Sequence, residues 1–177
     1  GMALLRQAGR GAGKGLVAIR PTCAGFQFRR NRASPFASWS FDHGGPTWRG
    51  GFGQEVLGLT WIAHHGAHGR ESTRGVVEPG RETHPLLRGV QDVWGPTDVY
   101  AVGPLPPDAE ILLRGQVLAG MTPADPPVAG RKNDPMMPLA WTRRYVGPSG
   151  RASRVFYTSL GASVDFRNEG LRRLFVN

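Results

Sequence analysis

Cysteine is all but missing from this chain: Cys23 is the only one in 177 residues. An intrachain disulfide is therefore excluded, and so is a zinc site built on several thiolates. Long apolar runs are missing as well. No segment approaches the roughly 18 consecutive apolar residues of a membrane helix, so no membrane partner is expected. Residues 1–15 are basic and glycine-rich and lack the apolar core of a signal peptide. The compartment stays open: cytoplasmic, or secreted or periplasmic if a leader was removed from a longer parent. Lysine is scarce. Only Lys14 and Lys132 occur, so twenty of the 22 basic residues are arginine, spread from Arg6 to Arg173. The densest cluster is Arg29, Arg30 and Arg32, and no base-stacking aromatic strand accompanies it. The net charge of +9 therefore reads as dispersed arginine, and no nucleic-acid partner is expected.

What is present suits one folded domain over residues 1–177. Hydrophobic residues make up 40% and charged residues 20%, a globular balance, and the length suffices for one core. Residues 3–8 (ALLRQA) read as a helix end, followed by glycines at 9, 11, 13 and 15. The GRGAGKG run does not have phosphate-loop spacing, lacks a Ser or Thr after Lys14, and sits between a helix and a strand in the wrong order. Residues 16–20 (LVAIR) have the apolar character of a buried strand. Residues 21–50 are loop-like and rich in aromatics, and a loop of that length is expected to be functional or to cover something. A short helix is predicted from residue 51 to 57 and a helical turn over 84–90. Strands are predicted at 75–78, 99–102, 110–118, 139–143 and 154–160, with an amphipathic helix over 169–176.

Three places carry chemistry-bearing residues. His64, His65 and His68 fall within five positions, a grouping that could ligate a divalent ion. Their spacing is not HExxH and the nearest carboxylates are Glu55 and Glu71, so no metal is expected, with a metal-dependent hydrolase on His64, His65 and His68 kept as an alternative. Cys23 follows a strand, yet Arg20 and Pro21 stand where a nucleophile elbow needs small residues. It is expected to be a passive small side chain. Asp98 and Tyr100 share one face by the period of two and suit sugar hydroxyls.

Five stretches together resemble the ThuA-like family associated with trehalose utilisation: residues 13–26 (GKGLVAIRPTCAGF), 50–58 (GGFGQEVLG), 83–100 (THPLLRGV through TDVY), 138–145 (PLAWTRRY) and 154–177. The resemblance implies a flavodoxin-like, doubly wound, mostly parallel α/β sheet, similar to class I glutamine amidotransferases, with its N-terminal βαβ half absent. It departs from the family pattern at Ala162, where a histidine is usual, and at Asp98-Val99-Tyr100. Glutaminase activity is accordingly not implied. The expected function is carbohydrate binding or metabolism without a cofactor, the reaction unnamed. Candidate catalytic residues are His64, His65, Asp98 and Glu55; candidate substrate-binding residues are Arg20, Tyr100 and Trp141. All are expected to line one cleft at the strand ends. The implied partner is a small carbohydrate-type ligand. A homodimer stays open, and a non-catalytic interaction module is the other alternative.

Overall fold

The computed structural model describes residues 15–147 and 149–177. The helix end expected at residues 3–8 lies outside them. Eight strands follow in chain order: β1 Leu16–Ile19, β2 Trp61–His64, β3 Thr73–Val77, β4 Trp94–Gly95, β5 Tyr100–Val102, β6 Glu110–Val117, β7 Met137–Val146 and β8 Ala152–Thr158. One α-helix is found among the described residues, α1 Glu169–Val176. Six strands hydrogen-bond in the order β1-β8-β7-β6-β3-β4, and β2 pairs separately with β5.

This corrects the expectation of a flavodoxin-like, doubly wound parallel sheet. The protein is mostly β, 29% strand against 17% helix. β3 runs antiparallel to both β4 and β6, and β2 runs antiparallel to β5. The physical reason lies in the connections. A parallel neighbour needs a crossover of a dozen or more residues, normally a helix. The link from β3 to β4 instead carries Pro79, Gly80, Pro85 and Gly89, and supports only the single turn Pro85–Leu87. Proline and glycine remove helical hydrogen bonds and stiffness, so the chain turns back antiparallel.

The chain forms two compact units. The described part of the first runs to Thr60 and adds Pro104–Glu110 and Thr142–Tyr157. Its long aromatic segment packs on itself: Trp39 lies edge-on to Phe26 and Phe36 and stacks on Trp48, and Phe26 meets Phe52. Phe52 leads into the wide helical turn Gly53–Leu57, whose Val56 and Leu57 are buried. The turn into it requires glycine. Gly51 has φ +64°, and a Cβ there would lie 2.2 Å from the Ser40 carbonyl oxygen. Arg143 closes the unit from β7, donating to Asp108 and to the Glu55 carbonyl.

The second unit comprises Trp61–Gly103, Ile111–Trp141 and Thr158–Asn177. Its core holds Val99, Leu112, Leu113, Val117, Leu139 and Trp141, each essentially inaccessible. Asn133 fastens the end of β6 through both sides of its amide, accepting from the Val117 N–H and donating to the Val117 and Val128 carbonyls. α1 starts at Asn168, whose side chain accepts from the Leu171 N–H, and it buries Leu171 and Leu174. No helix of the described residues is long and apolar enough to cross a membrane.

Candidate functional site

In the second unit, β2 and β5 form a short antiparallel ladder with Trp61 opposite Val102 and His64 opposite Tyr100. The His65 N–H extends it by donating to the Val99 carbonyl. Residues three apart on a regular strand face opposite ways. Here the register shifts between Trp61 and Ala63, and such a bulge re-aims side chains. The Trp61 and His64 rings consequently meet edge-on at 5.8 Å. Tyr100 joins them, 5.5 Å from His64 and 6.2 Å from Trp61.

Asp98 lies two residues before Tyr100, on the same face, and its side chain is fully buried. His64 Nδ1 is 2.6 Å from one of its carboxylate oxygens and His68 Nδ1 is 2.6 Å from the other. The imidazoles themselves stay accessible, their side chains 43% and 64% exposed, with ring centroids 4.9 Å apart. An inaccessible anion is costly without donors. With Nδ1 protonated, each histidine donates to Asp98 and presents a bare Nε2 outside that hydrogen bond.

The loop between the two histidines is tied from behind. His65 turns away from the pair, its Nε2 2.9 Å from the Lys132 carbonyl oxygen. Glu71 accepts from the Ala67 N–H and from Lys132 Nζ, each at 2.6 Å. Burial alone would push the Glu71 carboxyl up, but Lys132 and the Ala67 N–H together hold it below the ordinary carboxylate range. Gly66 leaves room for this arrangement: a Cβ there would come within 3.2 Å of Asp98 Cβ.

The structure thus brings together His64, His68, Asp98 and Tyr100, and adds Trp61, which sequence reasoning did not single out. Of the histidine triplet, His65 is replaced in the cluster by Asp98. Trp141 is completely buried in β7, a core ring without an open face for a ligand. Arg20 and Glu55 belong to the first unit. Arg20 follows β1 with φ +42° and is buried, a left-handed conformation that non-glycine residues adopt rarely. Its carbonyl accepts from Tyr157 Oη at 2.9 Å and faces Cys23 Sγ at 3.4 Å. The strained residue after β1 is therefore Arg20, three positions before the cysteine.

Cys23 is buried, and that burial pushes its thiol up despite the hydrogen bond from Tyr157. Only the thiolate is nucleophilic. Iodoacetamide should label Cys23 in the folded protein at neutral pH at least about tenfold more slowly than a free thiol. Mass spectrometry against the guanidine-unfolded chain measures this, and equal rates would contradict the buried placement. Comparison of the chain with protein-family models, with curated proteins and with solved structures finds no match to any of them.

Proposed function

We propose that the second unit binds and processes a small carbohydrate-type ligand, in keeping with the ThuA-like resemblance, at the face formed by His64, His68, Tyr100 and Trp61. One observation carries the proposal: a single buried carboxylate, Asp98, holds two accessible imidazoles by their Nδ1 atoms. The resemblance contributes only the class of ligand: the fold it implied is not found, and the chain departs from the family pattern at Asp98-Val99-Tyr100. Two imidazoles anchored in this way offer two Nε2 acceptors to neighbouring hydroxyl groups. A sugar supplies such hydroxyls, and its C–H face suits the half-buried ring of Trp61, while Tyr100 is buried and packs edge-on behind His64. An imidazole in hydrogen-bond reach of a hydroxyl can also take its proton, which is the elementary step of general-base chemistry at a sugar carbon.

The test is a titration of a panel of mono- and disaccharides, followed by ligand-observed NMR, on the wild type and on His64→Ala and His68→Ala. At least one sugar should bind, and each variant should weaken it by at least tenfold, about 1.4 kcal/mol. Absence of any sugar binding, or wild-type affinity in both variants, would remove the proposal.

A further inference from the structure

The three groups that gather at this site have a capacity beyond hydrogen bonding to a sugar. His64, His68 and Asp98 each offer a metal-ligand atom, and these atoms all lie within 4.8 Å of one another. We infer that the site takes one divalent transition-metal ion of the zinc class, ligated by Nδ1 of His64, Nδ1 of His68 and a carboxylate oxygen of Asp98.

The donor chemistry selects the class of ion. Two imidazole nitrogens and one carboxylate form a borderline set that suits zinc, cobalt or iron, whereas magnesium and calcium ask for six or more oxygens. Charge also favours it. A dication against two neutral imidazoles and one carboxylate compensates an anion that is fully buried. Little movement is needed. Ligands about 2.0–2.2 Å from a tetrahedral ion lie roughly 3.2–3.5 Å from each other. The present nitrogen–oxygen separations of 2.6 Å must therefore open by less than about 1 Å, and the widest donor pair, within 4.8 Å, must close by up to about 1.5 Å. Asp98 is fixed by burial, so the opening falls to the two accessible rings. Neither histidine has to lose a proton overall, because each Nδ1 proton can be carried by Nε2 in the other neutral tautomer.

The surroundings fit a working ion. Three protein ligands leave a fourth position for water or substrate, the arrangement of catalytic rather than structural zinc. The ties from His65 to the Lys132 carbonyl and from Glu71 to Ala67 and Lys132 hold the loop joining the two ligands, the support that metal sites take from residues behind their ligands. This inference rests on the proposed site for its location, and it deepens that reading. An ion held by His64, His68 and Asp98 would supply the base as a bound hydroxide, while Nε2 of each histidine would carry the proton displaced from Nδ1.

The experiment uses the full chain, freed of any affinity tag, stripped with EDTA and dialysed. Zinc is titrated calorimetrically, and cobalt is titrated with the visible absorption of tetrahedral cobalt as a second readout. One equivalent should bind. His68→Ala, a change at an exposed side chain that spares the core, should weaken binding at least about 100-fold, and Asp98→Asn should do the same. His65→Ala should stay within a few-fold of wild type. Binding well below one equivalent, binding unchanged in His68→Ala, or a loss in His65→Ala as large as in His68→Ala overturns the inference. Sugar titrations on the stripped and the loaded protein separate the two claims. Stoichiometric metal without any sugar binding upholds the ion and removes the carbohydrate reading. Sugar binding by a protein that takes up no metal removes the ion alone.

Discussion

Asp165→Ala is expected to lower the melting temperature by about 6–12 °C, the largest stability effect of any single polar substitution in the second unit. Asp165 is completely inaccessible. Its carboxylate accepts from the Thr97 hydroxyl and from the backbone N–H groups of Gly161 and Ala162, all between 2.8 and 2.9 Å. Alanine removes the acceptor and leaves three donors without it, the buried Thr97 hydroxyl costing about 1–3 kcal/mol and the half-buried Gly161 and Ala162 N–H groups less. A net loss of about 3 kcal/mol corresponds to the stated shift at about 2–4 °C per kcal/mol for a chain of this length. Asp165→Asn keeps one acceptor oxygen and should fall between the two. Thermal and urea unfolding measure both variants. A loss under 1 kcal/mol for the alanine variant would mean that the turn from Gly161 to Asp165 is not fastened in this way.

Asp98→Asn should damage the site without unfolding the chain. The amide preserves the shape of the carboxylate but removes the negative charge and replaces one acceptor by a donor. One of the two imidazoles then loses its Nδ1 partner. Ligand affinity is expected to drop about 10–100-fold, the range found when the group orienting a histidine is removed from a functional site. Folding should stay two-state, with stability reduced by no more than about 2 kcal/mol. Unchanged affinity would place Asp98 in a structural role only. Collapse of the fold in Asp98→Asn, with Asp98→Glu intact, would point the same way.

Much of the local structure is legible in the sequence. The strands expected at residues 16–20 and 110–118 and the amphipathic helix over 169–176 are found at 16–19, 110–117 and 169–176. The direction in which strands pair is not written in that spacing. A fully buried strand looks the same whether its neighbour is parallel or antiparallel, so the expected α/β sheet rested on the resemblance and gave way to the Pro- and Gly-broken connections. At the site, the period of two places Asp98 beside Tyr100, and the clustering of histidines is visible directly. Other features were out of reach. The bulge between Trp61 and Ala63 brings Trp61 to His64, and a one-residue shift leaves no mark in composition. The departure of His65 depends on the Lys132 carbonyl, 67 residues away. A carboxylate 34 residues from its histidine, as Asp98 is from His64, is equally invisible to local spacing. Arg20 shows the same limit: its positive φ is fixed by burial after β1, while the elbow sought in the sequence was centred on Cys23.

Long-range nitrogen–proton NMR of the imidazole rings, on metal-free protein, reads most directly whether one buried carboxylate anchors two imidazoles by Nδ1. His64 and His68 should both be held with the proton on Nδ1 and a bare Nε2. In Asp98→Asn at least one of the two should relax to the mixture of tautomers shown by an unanchored histidine. Two rings that already show that mixture in the wild type, or that carry the proton on Nε2 and do not respond to Asp98→Asn, would contradict it.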